Sequence, residues 1–258
     1  HATGWIQDGI ADPADSASAL SFGYQGGRTM NTSTLGRVLE QGSAWGFVYF
    51  DCCHMASVES IYELRRSTEF IVASVAELPS RGMPYDKTVQ HLFASGSPDL
   101  TAAARSTFES YDALNGQART CTMSVLSTSG MNRLAETAAA IFGKAEGNLP
   151  QDYTPQKFTN VYTWSSPYFD LRDYLRALCI HNGEERFEGA RELYADFEAA
   201  LADVVVYSAA TPFLWNAVAV KEHCGLSTFI MRDSDDAFHK NYNTLGWYEN
   251  AASRLKFN

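Results

Sequence analysis

The chain has 258 residues, of which 45% are hydrophobic and 19% are charged, a composition typical of a globular protein with one large domain or two small ones. Its 30 acidic and 20 basic residues give a formal charge of −10, which disfavours nucleic-acid binding because phosphate backbones are also negative. The longest apolar runs, residues 70–76 and 204–210, are much shorter than the roughly 18 to 20 residues that a membrane-spanning helix needs. Disordered, collagen-like and membrane-spanning classes are therefore excluded.

The amino-terminal part is predicted to be a long surface loop, followed by a short helix and a buried strand. Residues 7–31 are rich in Asp, Gly, Ser and Ala with weak periodicity, which favours a loop. Thr32 or Ser33 is expected to cap the short helix. Residues 45–50 (WGFVYF) lack polar alternation, so we expect a strand that is buried on both faces of a mainly parallel sheet.

A unit of strand, loop, helix and strand is predicted over residues 45–75. Apolar residues recur at helical spacing over residues 55–65, which indicates an amphipathic helix, and residues 70–75 have the composition of the next strand. A crossover helix between two strands is typical of an α/β sheet. Ligands of such sheets bind at the carboxyl ends of the strands, where residues 51–54 lie, and residues 77–86 are expected to form a loop at the same edge.

The alternation of helices and strands is predicted to continue to about residue 143, and a Pro-containing segment after Gly147 is the best candidate boundary. We therefore expect a core of residues 1–147 and a carboxyl-terminal α+β region of residues 148–258 packed on it. The further predicted helices are residues 99–116, 129–143, 171–179, 187–201 and 235–248, and the further strands are residues 120–126, 204–207 and 226–230.

Cys53 is the first candidate for catalysis. It follows a predicted strand and precedes a predicted helix, and the unsatisfied N–H groups at a helix N-terminus favour a thiolate. The alternative is that Cys52 and Cys53 fill space, because cysteine is among the most buried residue types. Five cysteines without regular spacing do not predict a disulfide framework, and their odd number leaves at least one thiol.

A thiolate nucleophile needs a base or ion-pair partner, and several histidines compete for this role. His54 adjoins Cys53 but is expected to cap or pack, because neighbouring side chains diverge. His1 is followed by small residues, which permit close backbone approach in an active-site loop. A zinc site formed by residues 51–54 is disfavoured, because four consecutive ligands cannot surround one ion tetrahedrally. The candidates are His1, His54, His91, His181, His223 and His239.

Three segments carry a resemblance to a known family. Residues 47–65 read FVYFDCCHMASVESIYELR, and FIVAS at 70–74 and MPYD at 83–86 follow. These segments resemble the clostripain family of cysteine peptidases, which have a caspase-like fold. The resemblance implies a caspase-like α/β/α sandwich with a mainly parallel sheet, whose amino-terminal part is missing here, plus a mixed carboxyl-terminal region. It also implies that Cys53 is the nucleophile, with Cys52 in place of the usual small residue.

The resemblance also supplies a catalytic histidine. His1-Ala2-Thr3-Gly4-Trp5 is similar to the family's His-Gly motif and lies 52 positions before Cys53. Ala2 replaces the usual Gly but keeps its backbone N–H, so we expect an oxyanion hole formed by the Ala2 and Cys53 amides. Because the segments that the family places before this histidine are absent, the chain is expected to be the carboxyl-terminal part of a larger protein.

Asp51 is expected to determine specificity. In the resembled family the Asp of the Asp-x-Cys motif lies at the base of the S1 pocket and selects Arg or Lys, and a carboxylate pairs well with a guanidinium. The alternative is that Asp51 caps the following helix. Glu77 and Asp86 are additional candidates for charge in this pocket. Arg28 lies in the predicted loop, where related enzymes are processed after a basic residue, so it is the candidate for self-cleavage.

The residues and the resemblance together predict a cysteine endopeptidase that cleaves after Arg or Lys with a Cys-His dyad and a covalent thioester intermediate. Its expected partners are protein or peptide substrates with basic residues. The alternative is a catalytically inactive caspase-like protein that binds a surface or a ligand. The sequence requires no cofactor and predicts no metal site, although the resemblance allows a calcium ion. The resemblance also implies a secreted or cell-envelope bacterial enzyme.

Overall fold

The computed structural model describes residues 23–25, 28–42, 44–93, 96–158, 168–231 and 242–256. It begins with a hairpin, in which β1 (Gly23–Gln25) and β2 (Arg28–Met30) pair antiparallel. The predicted loop over residues 7–31 therefore contains regular structure, which agrees with the Gly-Gly pair between these strands, since such pairs are typical of tight hairpins. No helix within the described ranges combines the length and the apolar composition that crossing a membrane requires.

A side-chain cap starts the first helix, α1 (Thr32–Glu40). The Asn31 side chain accepts a hydrogen bond from the Thr34 backbone N–H at 2.7 Å. This bond satisfies one of the amides that the start of a helix leaves without an intrahelical partner. The predicted cap at Thr32 or Ser33 was wrong, because the helix already begins at Thr32.

The remaining elements alternate along the chain as expected for an α/β protein. The helices are α2 (Val58–Leu64), α3 (Tyr85–Leu92), α4 (Leu100–Asp112), α5 (Met131–Phe142), α6 (Leu171–Cys179), α7 (Ala190–Val204) and α8 (Gly246–Asn250), with 3₁₀ turns at Gly116–Ala118 and Ala252–Arg254. The strands are β3 (Trp45–Tyr49), β4 (Thr68–Ala73), β5 (Thr122–Ser127), β6 (Tyr168–Asp170), β7 (Ile180–His181), β8 (Glu184–Glu185), β9 (Val205–Ala210), β10 (Phe213–Leu214), β11 (Val218–Ala219) and β12 (Ser227–Phe229).

A four-stranded mixed sheet, in the order β3-β4-β5-β9, forms the framework of the site. β3 and β4 are parallel, with Val48 opposite Ile71, and α2 connects them. β5 runs antiparallel to both β4 and β9. The predicted crossover unit and the α/β class are confirmed. The expected mainly parallel sheet is instead mixed among the described strands, because β5 pairs antiparallel with both of its neighbours.

Helices cover both faces of this sheet. Ile71 and Ala73 of β4 belong to the larger hydrophobic cluster, which also contains residues of α2, α5 and α7. Val72, between them, belongs to a smaller cluster with residues of α4. Because successive strand residues point to opposite faces, the two clusters lie on opposite sides of the sheet and form a three-layer α/β/α arrangement.

β3 lies at the edge of the described sheet, where its one paired neighbour is β4. Trp45 at its start is 47% exposed, whereas Phe50, just beyond its end, is 4% exposed. The prediction of a strand buried on both faces was therefore wrong for the start of β3. Phe50 is buried just beyond the carboxyl end of β3, so residues 51–54 that follow it lie next to the core.

Two carboxylates of α2 connect the sheet layer to the carboxyl-terminal part of the chain. Buried Glu59 accepts hydrogen bonds from the Thr228 hydroxyl at 2.9 Å and from the Phe229 amide at 2.8 Å. Glu63 accepts a hydrogen bond from the Gly246 amide at 2.6 Å. These contacts hold α2 against residues 228–229 and 246 of the carboxyl-terminal part. The division of the chain near residue 147 stays a prediction.

The structure differs most from the predicted element boundaries near α2 and α3. The helix predicted over residues 55–65 begins at Val58. The helix α3, which was not predicted, begins at Tyr85, inside the loop predicted over residues 77–86. α6 has the predicted bounds. The helix predicted over residues 235–248 falls partly outside the described residues, and α8 begins only at Gly246.

Candidate active site

Residues 51–57 turn away from the end of β3 before α2 begins. Ser57 caps α2, and its hydroxyl accepts a hydrogen bond from the Ser60 amide at 3.3 Å. The helix therefore starts well beyond Cys53, and the predicted helix N-terminus at this thiol was wrong. The alternative role of Asp51 as the cap of this helix is also wrong, because Ser57 occupies that position.

The Cys53 thiol lies beside the loop that follows β4. Its side chain is 8% exposed, and the Leu78 backbone N–H donates a hydrogen bond to Sγ at 3.4 Å. The Leu78 carbonyl oxygen lies 3.8 Å from Sγ and accepts from the thiol. The N–H donor of Leu78 favours the thiolate, whereas its carbonyl acceptor favours the thiol. The two contacts therefore act on Cys53 in opposite directions. All five cysteines lie in described residues, and none forms a disulfide.

His54 has a packing role, as the sequence predicted. It is 1% exposed, its Nδ1 lies 3.0 Å from the Val75 carbonyl oxygen, and its ring stacks on Tyr168 at 4.5 Å. Burial lowers the pKa of His54 to about 4, which keeps the ring neutral at pH 7. Its backbone has a φ of 55°, so the chain turns sharply directly after Cys53.

The Asp51 carboxylate faces the loop between β4 and α3. Its Oδ2 accepts hydrogen bonds from the Tyr85 hydroxyl at 2.7 Å and from the Met83 amide at 3.2 Å. The bond to Asp51 raises the pKa of Tyr85 to about 12, so the phenol keeps its proton and is the donor. Asp51 is half-buried.

Gly82 allows this loop to approach Asp51 closely. Its φ is +68°, a backbone conformation that residues with a Cβ rarely adopt, and a Cβ placed on it would lie 2.6 Å from Oδ2 of Asp51. The Tyr111 hydroxyl, from α4, donates to the Gly82 carbonyl oxygen at 2.6 Å. The position of the loop therefore depends on both a glycine and a contact from α4.

We expect Gly82→Ala to lower the free energy of unfolding by about 2 kcal/mol or more, since the new Cβ adds a clash with Asp51 to the cost of a positive φ. Gly183→Ala is the matched control, because Gly183 has a φ of +81° and open space around its Cβ position. Urea denaturation of both variants separates the two costs. Equal losses in the two variants would contradict the close approach at Asp51.

The other predicted pocket residues lie in different surroundings. Glu77 is 5% exposed and therefore buried, whereas Asp86 is exposed in the first turn of α3. Neither is a hydrogen-bonding partner of Asp51. The partner that sequence reasoning missed is Tyr85, which lies inside the MPYD segment that carries the family resemblance but was given no role there.

Of the other predicted residues, two lie outside the described residues and one lies in the hairpin of β1 and β2. His1 and Ala2 lie outside the described residues. Arg28 is the first residue of β2, and its backbone pairs with Gln25 in the hairpin. The self-cleavage candidate thus lies in a strand pair and not in the loop that the sequence predicted.

No group of three or more His, Cys, Asp or Glu side chains among the described residues lies close enough together to hold a metal ion. The calcium ion that the resemblance allows stays a prediction, because calcium also binds backbone and side-chain amide oxygens. We assign no step of the chemistry to it.

The comparison with protein families identifies the chain. The sequence model described as the clostripain family, Peptidase_C11, matches residues 1–256. The chain belongs to the clostripain family. As a clostripain-family protein it is a cysteine peptidase, as the sequence predicted. None of the curated proteins compared with it gives a significant match.

Solved structures similar to this clostripain-family chain confirm its caspase-like fold. A B. fragilis cysteine protease is 24% identical, with a TM-score of 0.77 over 91% of this chain and 100% of that chain. A clostripain from Bacteroides thetaiotaomicron, in complex with a peptide inhibitor, is 21% identical, with a TM-score of 0.73 over 88% of this chain and 97% of that chain. An inactive zymogen C11 protease from Parabacteroides distasonis is 22% identical, with a TM-score of 0.75 over 97% of this chain and 68% of that chain.

Proposed function

We propose that this clostripain-family chain is an endopeptidase that cleaves after Arg or Lys. The observation that carries the proposal is the position of Asp51, a half-buried carboxylate at the carboxyl end of β3, two residues before Cys53. Ligands of α/β sheets bind at this end of the strands. A negative charge next to the nucleophile favours a substrate with a positive side chain before the scissile bond.

In the proposed mechanism, His1 removes the proton of the Cys53 thiol, and the thiolate attacks the carbonyl carbon of the scissile bond. The backbone N–H groups of Ala2 and Cys53 stabilise the resulting oxyanion. The carbon–nitrogen bond then breaks, His1 gives its proton to the leaving amine, and a thioester remains on Cys53. Water attacks the thioester, which releases the carboxylic acid product and restores the thiol.

The Asp51 carboxylate supports the proposed specificity through its surroundings. Partial burial strengthens its attraction for a cation, because water screens the pair less than on an open surface. The inhibitor bound to the Bacteroides thetaiotaomicron clostripain is named BTN-VLTK-AOMK, and its peptide part ends in K. This inhibitor supports a basic residue before the scissile bond in substrates of this chain as well.

Two further properties belong to the proposal. Arg28 is the proposed self-cleavage site, and the hairpin of β1 and β2 would have to open first, since the backbone of Arg28 is already paired with Gln25.

The proposed location is outside the cytoplasm, by secretion or in the cell envelope. A related structure supports this, because it is described as a secreted C11 cysteine protease from Bacteroides thetaiotaomicron.

We expect the full-length protein to cleave a mixed peptide library after Arg and Lys, at rates at least about tenfold higher than after any uncharged residue. Mass spectrometry of the products identifies each cleaved bond. A Cys53→Ala preparation purified in parallel detects contaminating proteases. Cleavage after uncharged residues at a rate similar to that after Arg and Lys would contradict the specificity, and a folded protein that cleaves nothing would favour the inactive binding protein.

A further inference from the structure

Both hydrogen bonds that Asp51 receives from described residues end on the same oxygen. The Tyr85 hydroxyl donates to Oδ2 at 2.7 Å, and the Met83 amide donates to Oδ2 at 3.2 Å. A carboxylate oxygen has two lone pairs for hydrogen bonding, so these donors fill Oδ2. Oδ1 accepts no hydrogen bond from the described part of the chain.

We propose that Tyr85 sets the preference between Lys and Arg in the S1 pocket by occupying one of the two oxygens of Asp51. This inference rests on the proposed function of Asp51 as the S1 carboxylate. A guanidinium reaches its strongest geometry when two parallel N–H groups bond both oxygens of a carboxylate, whereas an ammonium needs only one oxygen. With Tyr85 bound to Oδ2, Arg is limited to a contact through Oδ1 and loses its geometric advantage, while Lys loses nothing.

The position of Tyr85 makes its hydroxyl the variable part of this arrangement. Tyr85 is the first residue of α3 and is 54% exposed, so its ring lies at the outer side of the carboxylate. The Met83 donor is a backbone N–H, which no side-chain change removes, and the Gly82 backbone holds it close to Asp51. The phenol therefore controls whether Oδ2 is open to a substrate.

Tyr85→Phe is expected to raise the ratio of kcat/KM for Arg over Lys peptides by about tenfold, as expected for one added hydrogen bond to a charged group. The change should lie in KM for the Arg peptide, with kcat nearly unchanged. The Tyr85 hydroxyl contacts the carboxylate that binds the substrate side chain, and it does not contact the reacting atoms. Tyr194→Phe is the matched control, since it removes another tyrosine hydroxyl that donates to a carboxylate, at 3.0 Å from Glu198 on α7.

Equilibrium binding to the Cys53→Ala protein separates this inference from the proposed function. Peptides that end in Arg or Lys are titrated against Cys53→Ala and against Cys53→Ala combined with Tyr85→Phe. A tighter relative binding of Arg in the double variant supports the role of Tyr85. An unchanged or reversed ratio, with both peptides still bound, overturns this role and leaves the S1 assignment intact. Failure of both peptides to bind either protein overturns the S1 assignment and, with it, this inference.

Discussion

Replacing Cys53 by alanine is expected to reduce kcat/KM on peptides with a basic P1 residue by at least about a thousandfold, because no thioester can form without the sulfur. The reaction is followed with a fluorogenic Arg or Lys peptide and the full-length protein. The fold should survive the change, since alanine is smaller than cysteine and the Leu78 backbone that contacts Sγ is unchanged. His1→Ala is expected to abolish the same activity.

Cys52→Ala is the matched control for this prediction. Cys52 is adjacent in sequence, half-buried, and packed against the larger hydrophobic cluster. Its replacement should change kcat/KM by less than about fivefold, as expected of a residue with no part in the chemistry. A loss of activity in Cys52→Ala, with activity kept in Cys53→Ala, would show that Cys52 and not Cys53 is the nucleophile.

The unit of β3, α2 and β4 was predictable because its pattern is local. The apolar runs and the helical spacing reflect burial against the two clusters on either side of the sheet, and both are properties of a short stretch of sequence. The start of α2 was not predictable in the same way. Met55 and Ala56 are fully buried although they precede the helix, so their burial extends the helical spacing into a turn.

Features that depend on the order of strands or on the path of a loop were missed. The exposure of Trp45 follows from the place of β3 at the edge of the described sheet, and nothing in the residues 45–50 encodes which strands lie beside them. α3 was not predicted, and its first two residues were assigned to a loop because of the Pro and Gly in that segment. Pro84 in fact occupies the N-cap position, directly before the first helical residue, where its lack of an N–H costs little.

The candidate site shows the same limit. Asp51 and Cys53 were found because they lie in one continuous motif at the end of a strand. Tyr85 was not, because its contact with Asp51 joins residues 34 positions apart and depends on the positive φ of Gly82. A glycine followed closely by a tyrosine carries no signal of such a contact until the turn is known.

Replacing Asp51 by asparagine is expected to reduce kcat/KM for both Arg and Lys peptides by about a hundredfold, since it removes one partner of a desolvated charge pair. The loss should appear mainly in KM. The side chain keeps its shape, and the asparagine oxygen still accepts from the Met83 amide and the Tyr85 hydroxyl, so the unfolding temperature should change little. Kinetics on the two peptides, with thermal unfolding of each protein, measure both effects.

Asp86→Asn tests whether the effect belongs to the position of the charge or only to its amount. This variant removes one negative charge from the exposed first turn of α3, immediately after Tyr85. Exposed charges contribute little because water and salt screen them, so we expect a change of less than about fivefold. If Asp86→Asn lost the preference for basic residues and Asp51→Asn kept it, the S1 carboxylate would lie at the start of α3. A large loss confined to Asp51→Asn instead places the specificity at the carboxyl end of β3, beside Cys53.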